Sequence, residues 1–135
     1  MQGKILSLFT DGGSRNNPGQ AAIGIVLVDA GKVIEKIGKR IGIATNNEAE
    51  YTALIEGLTL AEKYKPEEVK CFLDSELVVK QLTGLYRTKE PKLQNLCIKV
   101  KKLEKLFNKI SYKHIPREQN SVADSLVNQA LDNLL

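Results

Sequence analysis

Apolar and polar positions change their texture four times along the 135-residue chain. From Lys4 to Thr10 the run KILSLFT is nearly continuous and apolar, which predicts a central strand buried on both faces. Asp11–Gly19 (DGGSRNNPG) is rich in Gly, Asn and Pro and predicts a loop. Ala21–Val28 and Val33–Ile41 predict two further strands around the hairpin residues Asp29-Ala30-Gly31-Lys32. The first third therefore reads as an antiparallel meander.

From Glu48 to Lys63 the apolar period becomes helical, with Ala49, Ala53, Leu54, Gly57, Leu58 and Ala61 on one face. Asn46 or Asn47 is available as its cap, and Pro66 lies beyond its end. Val69, Cys71 and Leu73 alternate with Lys70 and Phe72, which predicts a short strand. Asp74-Ser75 opens a helix through Leu82, closed by Gly84. Lys92–Asn108 carries a stripe of Leu93, Leu96, Val100, Leu103 and Phe107, and Ile110–Ile115 predicts a last strand. Pro116–Asn120 is a turn. A final helix runs from Ser121, with Ala123, Leu126, Val127, Ala130, Leu131 and Leu134 facing inward.

The order β-β-β-α-β-α-α-β-α brings the last two strands in through helices, so they pair in parallel by right-handed crossovers. An α/β domain with a mixed sheet follows. No linker divides the chain, and one domain over residues 1–135 is expected. No apolar run approaches the roughly 20 residues that span a bilayer, and Met1-Gln2-Gly3-Lys4 leads into a short apolar run with no cleavage site for a leader. Cys71 and Cys97 fall on apolar positions and read as reduced core thiols, so a cytoplasmic location is expected. A net charge of +4 makes an anionic partner plausible, and a single histidine excludes a His-rich metal site.

Two predicted strands end in Asp. Asp11 follows the first and Asp74 the fourth, and in a sheet with crossover connections sites collect at the carboxyl ends of strands. Each Asp has a local explanation: Asp11 starts a Gly-rich turn, and Asp74 caps the helix after it. Glu50 lies on the apolar face of its helix, where a carboxylate is costly unless a cation or hydrogen bonds compensate it. Glu48 and Glu56 fall on the solvent side. Asp124 sits in the first turn of the last helix, where Ser121-x-x-Asp124 also fits a capping box. Four carboxylates without a Cys/His cluster suit a hard cation, Mg²⁺ or Mn²⁺. Two such ions roughly 3.5–4 Å apart serve phosphodiester hydrolysis.

In order along the chain stand Phe9-Thr10-Asp11-Gly12-Gly13-Ser14…Asn17-Pro18-Gly19, Thr45-Asn46-Asn47-Glu48-Ala49-Glu50-Tyr51-x-Ala53-Leu54, Leu73-Asp74-Ser75 and Arg117-Glu118-x-Asn120-x-x-Ala123-Asp124. Together they resemble ribonuclease H of type 1 over nearly the whole length. The resemblance implies a ribonuclease H-like fold: a five-stranded mixed sheet, a meander of three strands plus two parallel strands, with helices on both faces. It implies hydrolysis of the RNA strand of an RNA/DNA hybrid by two metal ions, leaving 5′-phosphate and 3′-hydroxyl ends, in a protein expected to be a monomer. The catalytic and metal-binding tetrad it implies is Asp11, Glu50, Asp74 and Asp124. Gly12, Gly13, Asn17, Thr45, Asn46, Asn47, Ser75 and Arg117 are the implied substrate contacts. Two rival readings remain: a nuclease of the same fold acting on double-stranded RNA or another nucleic acid, and a hybrid-binding module without activity.

The chain departs from the family pattern in three places. The basic, Trp-rich protrusion of many bacterial relatives is reduced to Leu85–Pro91, and the chain has no Trp. Arg87, Lys89 and Lys92 are the candidates to supply hybrid affinity in its place. The mobile histidine before the last Asp is missing, since His114 lies on the preceding strand, and Arg117 is the candidate to replace it. Ile43 stands where a basic residue near the DNA-phosphate pocket is often found.

Overall fold

A computed structural model describes residues 3–135; Met1 and Gln2, read above for a leader, lie outside the described residues. Five strands form one sheet: β1 (Ile5–Arg15), β2 (Gly19–Asp29), β3 (Lys32–Ala44), β4 (Glu68–Leu73) and β5 (Lys109–His114). Their spatial order is β3-β2-β1-β4-β5. β1–β2 and β2–β3 are antiparallel, whereas β1–β4 and β4–β5 are parallel. Four helices, α1 (Asn46–Glu62), α2 (Glu76–Leu82), α3 (Pro91–Glu104) and α4 (Ser121–Leu131), complete the domain, with a 3₁₀ turn at Arg117–Asn120. This is the ribonuclease H-like arrangement that the motifs imply.

Strand alternation sorts the core into two layers. Leu6, Leu8, Ile23, Ile25, Leu27, Val69, Cys71 and Leu73 pack with Tyr51, Leu54 and Leu58 of α1, Val78 and Leu82 of α2, and Leu93 and Val100 of α3. On the opposite face Ala22 and Val26 meet Ala123, Leu126, Val127, Ala130 and Leu131 of α4. Gly24 makes that approach possible: a Cβ there would lie 2.2 Å from the carbonyl oxygen of Ala123. Every residue placed on the apolar face of α1 is buried. Among the described residues no helix is long and apolar enough to cross a membrane.

Several expectations are corrected. The Gly-rich segment after Thr10 is strand, not loop, as far as Arg15, because Asp11–Arg15 pairs with Gln20–Gly24 of β2. The turn is thereby confined to residues 16–18. The cap of α1 is Thr45, not Asn46 or Asn47: Thr45 Oγ1 accepts from the Glu48 N–H while the Glu48 carboxylate accepts from the Thr45 N–H. Ser75, not Asp74, caps α2, accepting from the Val78 N–H. The predicted helix 92–108 ends at Glu104, and Phe107 reaches the core from beyond its end. The Ser121/Asp124 capping box does not form. Leu134 lies past α4 and is exposed.

Candidate active site

The parallel ladder between β1 and β4 ends at the pair Thr10–Leu73. Asp11 and Asp74 are the next residues on the two adjacent strands, which is why they meet. Asp11 does so from within a strand, since β1 continues beyond it along β2 alone. α1 crosses β1 at this level so closely that a Cβ on Gly12 would lie 2.3 Å from the backbone carbonyl of Ala49. The contact delivers Glu50, whose Oε1 accepts the Gly12 N–H at 2.8 Å.

One carboxylate oxygen from each of Asp11, Glu50 and Asp74 lies within 4.8 Å of the other two. Asp11 and Glu50 are buried, at 7% and 6% exposure. Glu50 Oε2 is a buried oxygen with no hydrogen-bond partner, which is unfavourable unless a cation completes the set. Burial pushes the Asp11 carboxyl from 3.8 up to about 7, and the charges of Asp74 and Asp124 add to the rise. Burial, followed by the charge of Asp11, also holds Glu50 well above the ordinary range. Three oxygen donors around an orphaned carboxylate oxygen fit a hard divalent cation.

Asp124, in the first turn of α4, borders the triad rather than belonging to it. Its Oδ1 accepts from Arg117 Nη2 at 3.3 Å. Glu48, three residues into α1, is absorbed by the cap and an ion pair with Lys92. Glu50 is buried, whereas Glu48 is half-buried against Thr45 and Lys92 rather than on the solvent side.

A cleft of about 460 Å³ contains Asp11, Glu50, Asp74 and Asp124 in its lining, together with Gly12, Gly13, Asn46, Asn47, Ser75 and Arg117. Asn17 and Thr45 are outside this lining. Asn17 Oδ1 accepts from the Asn46 N–H at 2.9 Å, and Asn46 Oδ1 accepts from the Ser14 N–H at 2.9 Å. The two asparagines so tie the β1–β2 turn to the start of α1.

The sequence places Asn120 in a turn and in the last motif of the resemblance, with no role of its own. It is buried, and its side-chain amide donates to the Thr10 carbonyl at 2.9 Å and to Asp74 Oδ2 at 3.3 Å. A single polar residue in an irregular segment carries no periodicity, so nothing local announces this role. Arg15 and Asn128, also in the cleft lining, were likewise missed.

A parallel strand pair with an acid just past the last rung of its ladder on each chain segment, and a glutamate delivered from the crossing helix, define a ribonuclease H-like domain with an acidic centre. A family described as reverse transcriptase-like matches residues 9–130. Ribonuclease HI of Halobacterium salinarum is 43% identical over 132 residues, covering 97% of this chain and 66% of that protein. The crystal structure of RNase H1 from H. salinarum superposes with a TM-score of 0.93 at 42% identity, covering 96% of this chain and 98% of the other. LC11-RNase H1 in complex with an RNA/DNA hybrid superposes with a TM-score of 0.90 at 39% identity, covering 96% and 98%. The chain belongs to the ribonuclease H type 1 family. It spans between 34% and 66% of the length of several curated relatives that it matches.

Proposed function

We propose that this protein is an endonuclease that hydrolyses the RNA strand of RNA/DNA hybrids, giving 5′-phosphate and 3′-hydroxyl ends. The observation that carries the reading is the buried triad Asp11/Glu50/Asp74 with an unpartnered Glu50 oxygen at the floor of an open cleft. Asp11, Glu50, Asp74 and Asp124 hold two divalent ions, Mg²⁺ or Mn²⁺. Such ions supply Lewis acidity toward the attacking water and the departing 3′ oxygen.

The protein's own groups perform the rest. The Gly12 N–H fixes one oxygen of Glu50 and leaves the other for the cation. Asn120 orients Asp74. Asn46 and Asn47, with both donors and acceptors, face the cleft where a minor groove would lie; Gly12 and Gly13 line it with backbone, and the absence of a side chain on Gly13 lets a 2′-hydroxyl come close. Ser75 and Arg117 line the same wall, Arg117 as the phosphate contact that serves in place of the missing histidine. Asn17 braces Asn46 through its N–H, Thr45 caps α1, and the two contact a phosphate of the DNA strand. Arg87 and Lys89, from the connection before α3, and Lys92, from its first turn, add affinity. Residues 1–135 act as one domain and a monomer. The free thiols of Cys71 and Cys97 suit the reducing cytoplasm.

The test offers labelled RNA/DNA hybrid, duplex RNA and duplex DNA to the protein, each with Mg²⁺, with Mn²⁺ and with chelator. Cleavage of the hybrid's RNA strand that needs metal supports the reading. Cleavage restricted to duplex RNA, or binding without any cut, replaces it with one of the two rivals.

A further inference from the structure

Arg15 is the last residue of β1, and its side chain lines the acidic cleft beside Asn128 and Leu131 of α4. Its Nη1 pairs with Oδ1 of Asp132 at 2.5 Å, and both side chains are about half exposed. Asp132 is the residue immediately after α4. A carboxylate there opposes the helix macrodipole, and the last turn of α4 contains no basic residue to offset it.

Nothing in the helix end calls for that side chain. α4 is closed by its backbone: the Asp132 N–H donates to the Asn128 carbonyl, the Leu134 N–H to the Gln129 carbonyl, and Asn133 takes a left-handed φ of 58°. An ion pair this exposed adds little to stability. An acid that offends the dipole at the rim of a cleft meant for a polyanion breaks a local rule, and such breaks concentrate where function requires them.

The second guanidinium of the cleft gives a comparison. Arg117 pairs with Asp124 at the start of α4, and Arg15 with Asp132 just past its end. Eight residues separate the two acids, about 12 Å at 1.5 Å per residue. The cleft therefore has an arginine toward each end of one helix, paired with acids about 12 Å apart along its axis.

We propose that Arg15 is a phosphate contact for the hybrid away from the scissile position, and that Asp132 holds its guanidinium until a backbone phosphate displaces the carboxylate. A guanidinium accepts either anion with the same forked geometry. The exchange lowers affinity for the hybrid, because Arg15 gives up one anion to gain the other, and so speeds release of the cut strand. This inference rests on the hybrid-cleaving reading above.

The experiment measures hybrid affinity by fluorescence anisotropy across a salt series. All proteins are in the Asp11→Asn background, which keeps the substrate intact. Arg15→Gln should weaken binding several-fold and flatten the slope of log K against log salt by about 0.9, the value of one phosphate contact. Asp132→Asn should tighten binding several-fold with Arg15 present and have little effect alongside Arg15→Gln. Arg15→Lys should keep the salt slope, and thermal melting reports whether each variant is folded. Equal tightening by Asp132→Asn in both backgrounds, or an unchanged slope in folded Arg15→Gln, overturns the proposal. Hybrid cleavage by the protein with Asp11 intact is followed in parallel. Cleavage with unaltered variant affinities sinks only the Arg15 exchange, whereas neither cleavage nor binding sinks the functional reading as well.

Discussion

Asn120 clasps two parallel strands where their ladder ends, its one amide nitrogen reaching both the Thr10 carbonyl and the Asp74 carboxylate. The 3₁₀ turn before α4 is thereby fastened to the point where Asp11 and Asp74 emerge. Removing the amide leaves the Thr10 carbonyl buried without this donor, at a cost of about 1–3 kcal/mol. Asn120→Ala should lower the urea midpoint accordingly and reduce hybrid cleavage by more than the loss of folded protein accounts for. Cleavage per folded molecule that stays at the wild-type level removes Asn120 from the positioning of Asp74.

Metal and fold are linked through the triad. Asp11→Asn should abolish cleavage while leaving the far-UV circular dichroism unchanged. Mg²⁺ should raise the melting temperature of the wild type, since a ligand that binds only the folded state stabilises it by mass action. The same titration on Asp11→Asn should give a much smaller rise. Full cleavage by Asp11→Asn overturns the assignment.

The unliganded site should also make stability fall as pH rises. Asp11 has a folded pKa of about 7 against 3.8 unfolded, and Glu50 is raised in the same direction. The folded state therefore binds protons that the unfolded chain has released. The associated stability is complete below about pH 4 and is lost as pH climbs through 7. Glu48 has the opposite sign, held low by the Thr45 N–H and Lys92, and its contribution fades only in acid. In chelator the melting temperature should drop between pH 5 and pH 8. Asp11→Asn and added Mg²⁺ should each shrink the drop. A flat profile in wild type refutes the strained triad.

Gly12→Ala should be among the most damaging single-methyl additions in the chain. Its Cβ would meet backbone atoms of Ala49 and Glu50 at 2.3–2.6 Å, and neither β1 nor α1 can yield alone. Overpacking of this kind costs about 1–3 kcal/mol, and the shift of α1 would carry Glu50 away from Asp11. Chemical denaturation and a metal titration should both register it. Gly13→Ala, with its nearest atom 3.7 Å away, should be mild.

Arg117 is largely exposed, and its recorded partner is Asp124. Arg117→Ala should leave stability nearly unchanged, as surface ion pairs contribute little. It should lower the turnover number or slow product release. Pre-steady-state and steady-state rates on the hybrid separate those two effects, and unchanged values of both remove Arg117 from the reaction.

The sequence by itself determined the element order, the parallel crossovers and the place of Glu50 on the buried face of α1. Each follows from pattern: apolar runs and alternation mark strands, a carboxylate falls on an apolar helical stripe, and chain connections leave one handedness open. Motif order extended this to four acids. Only the tertiary structure decided that β1 runs on past Asp11, because Gly12 to Arg15 finds a partner in β2 that no local pattern reveals. It alone showed the orphaned oxygen of Glu50, the clasp of Asn120 and the pairing of Arg15 with Asp132, contacts that link residues 38 to 117 positions apart. Such contacts depend on where strands and helices come to rest against one another, and a one-dimensional pattern records which face a residue prefers but not whom it meets there.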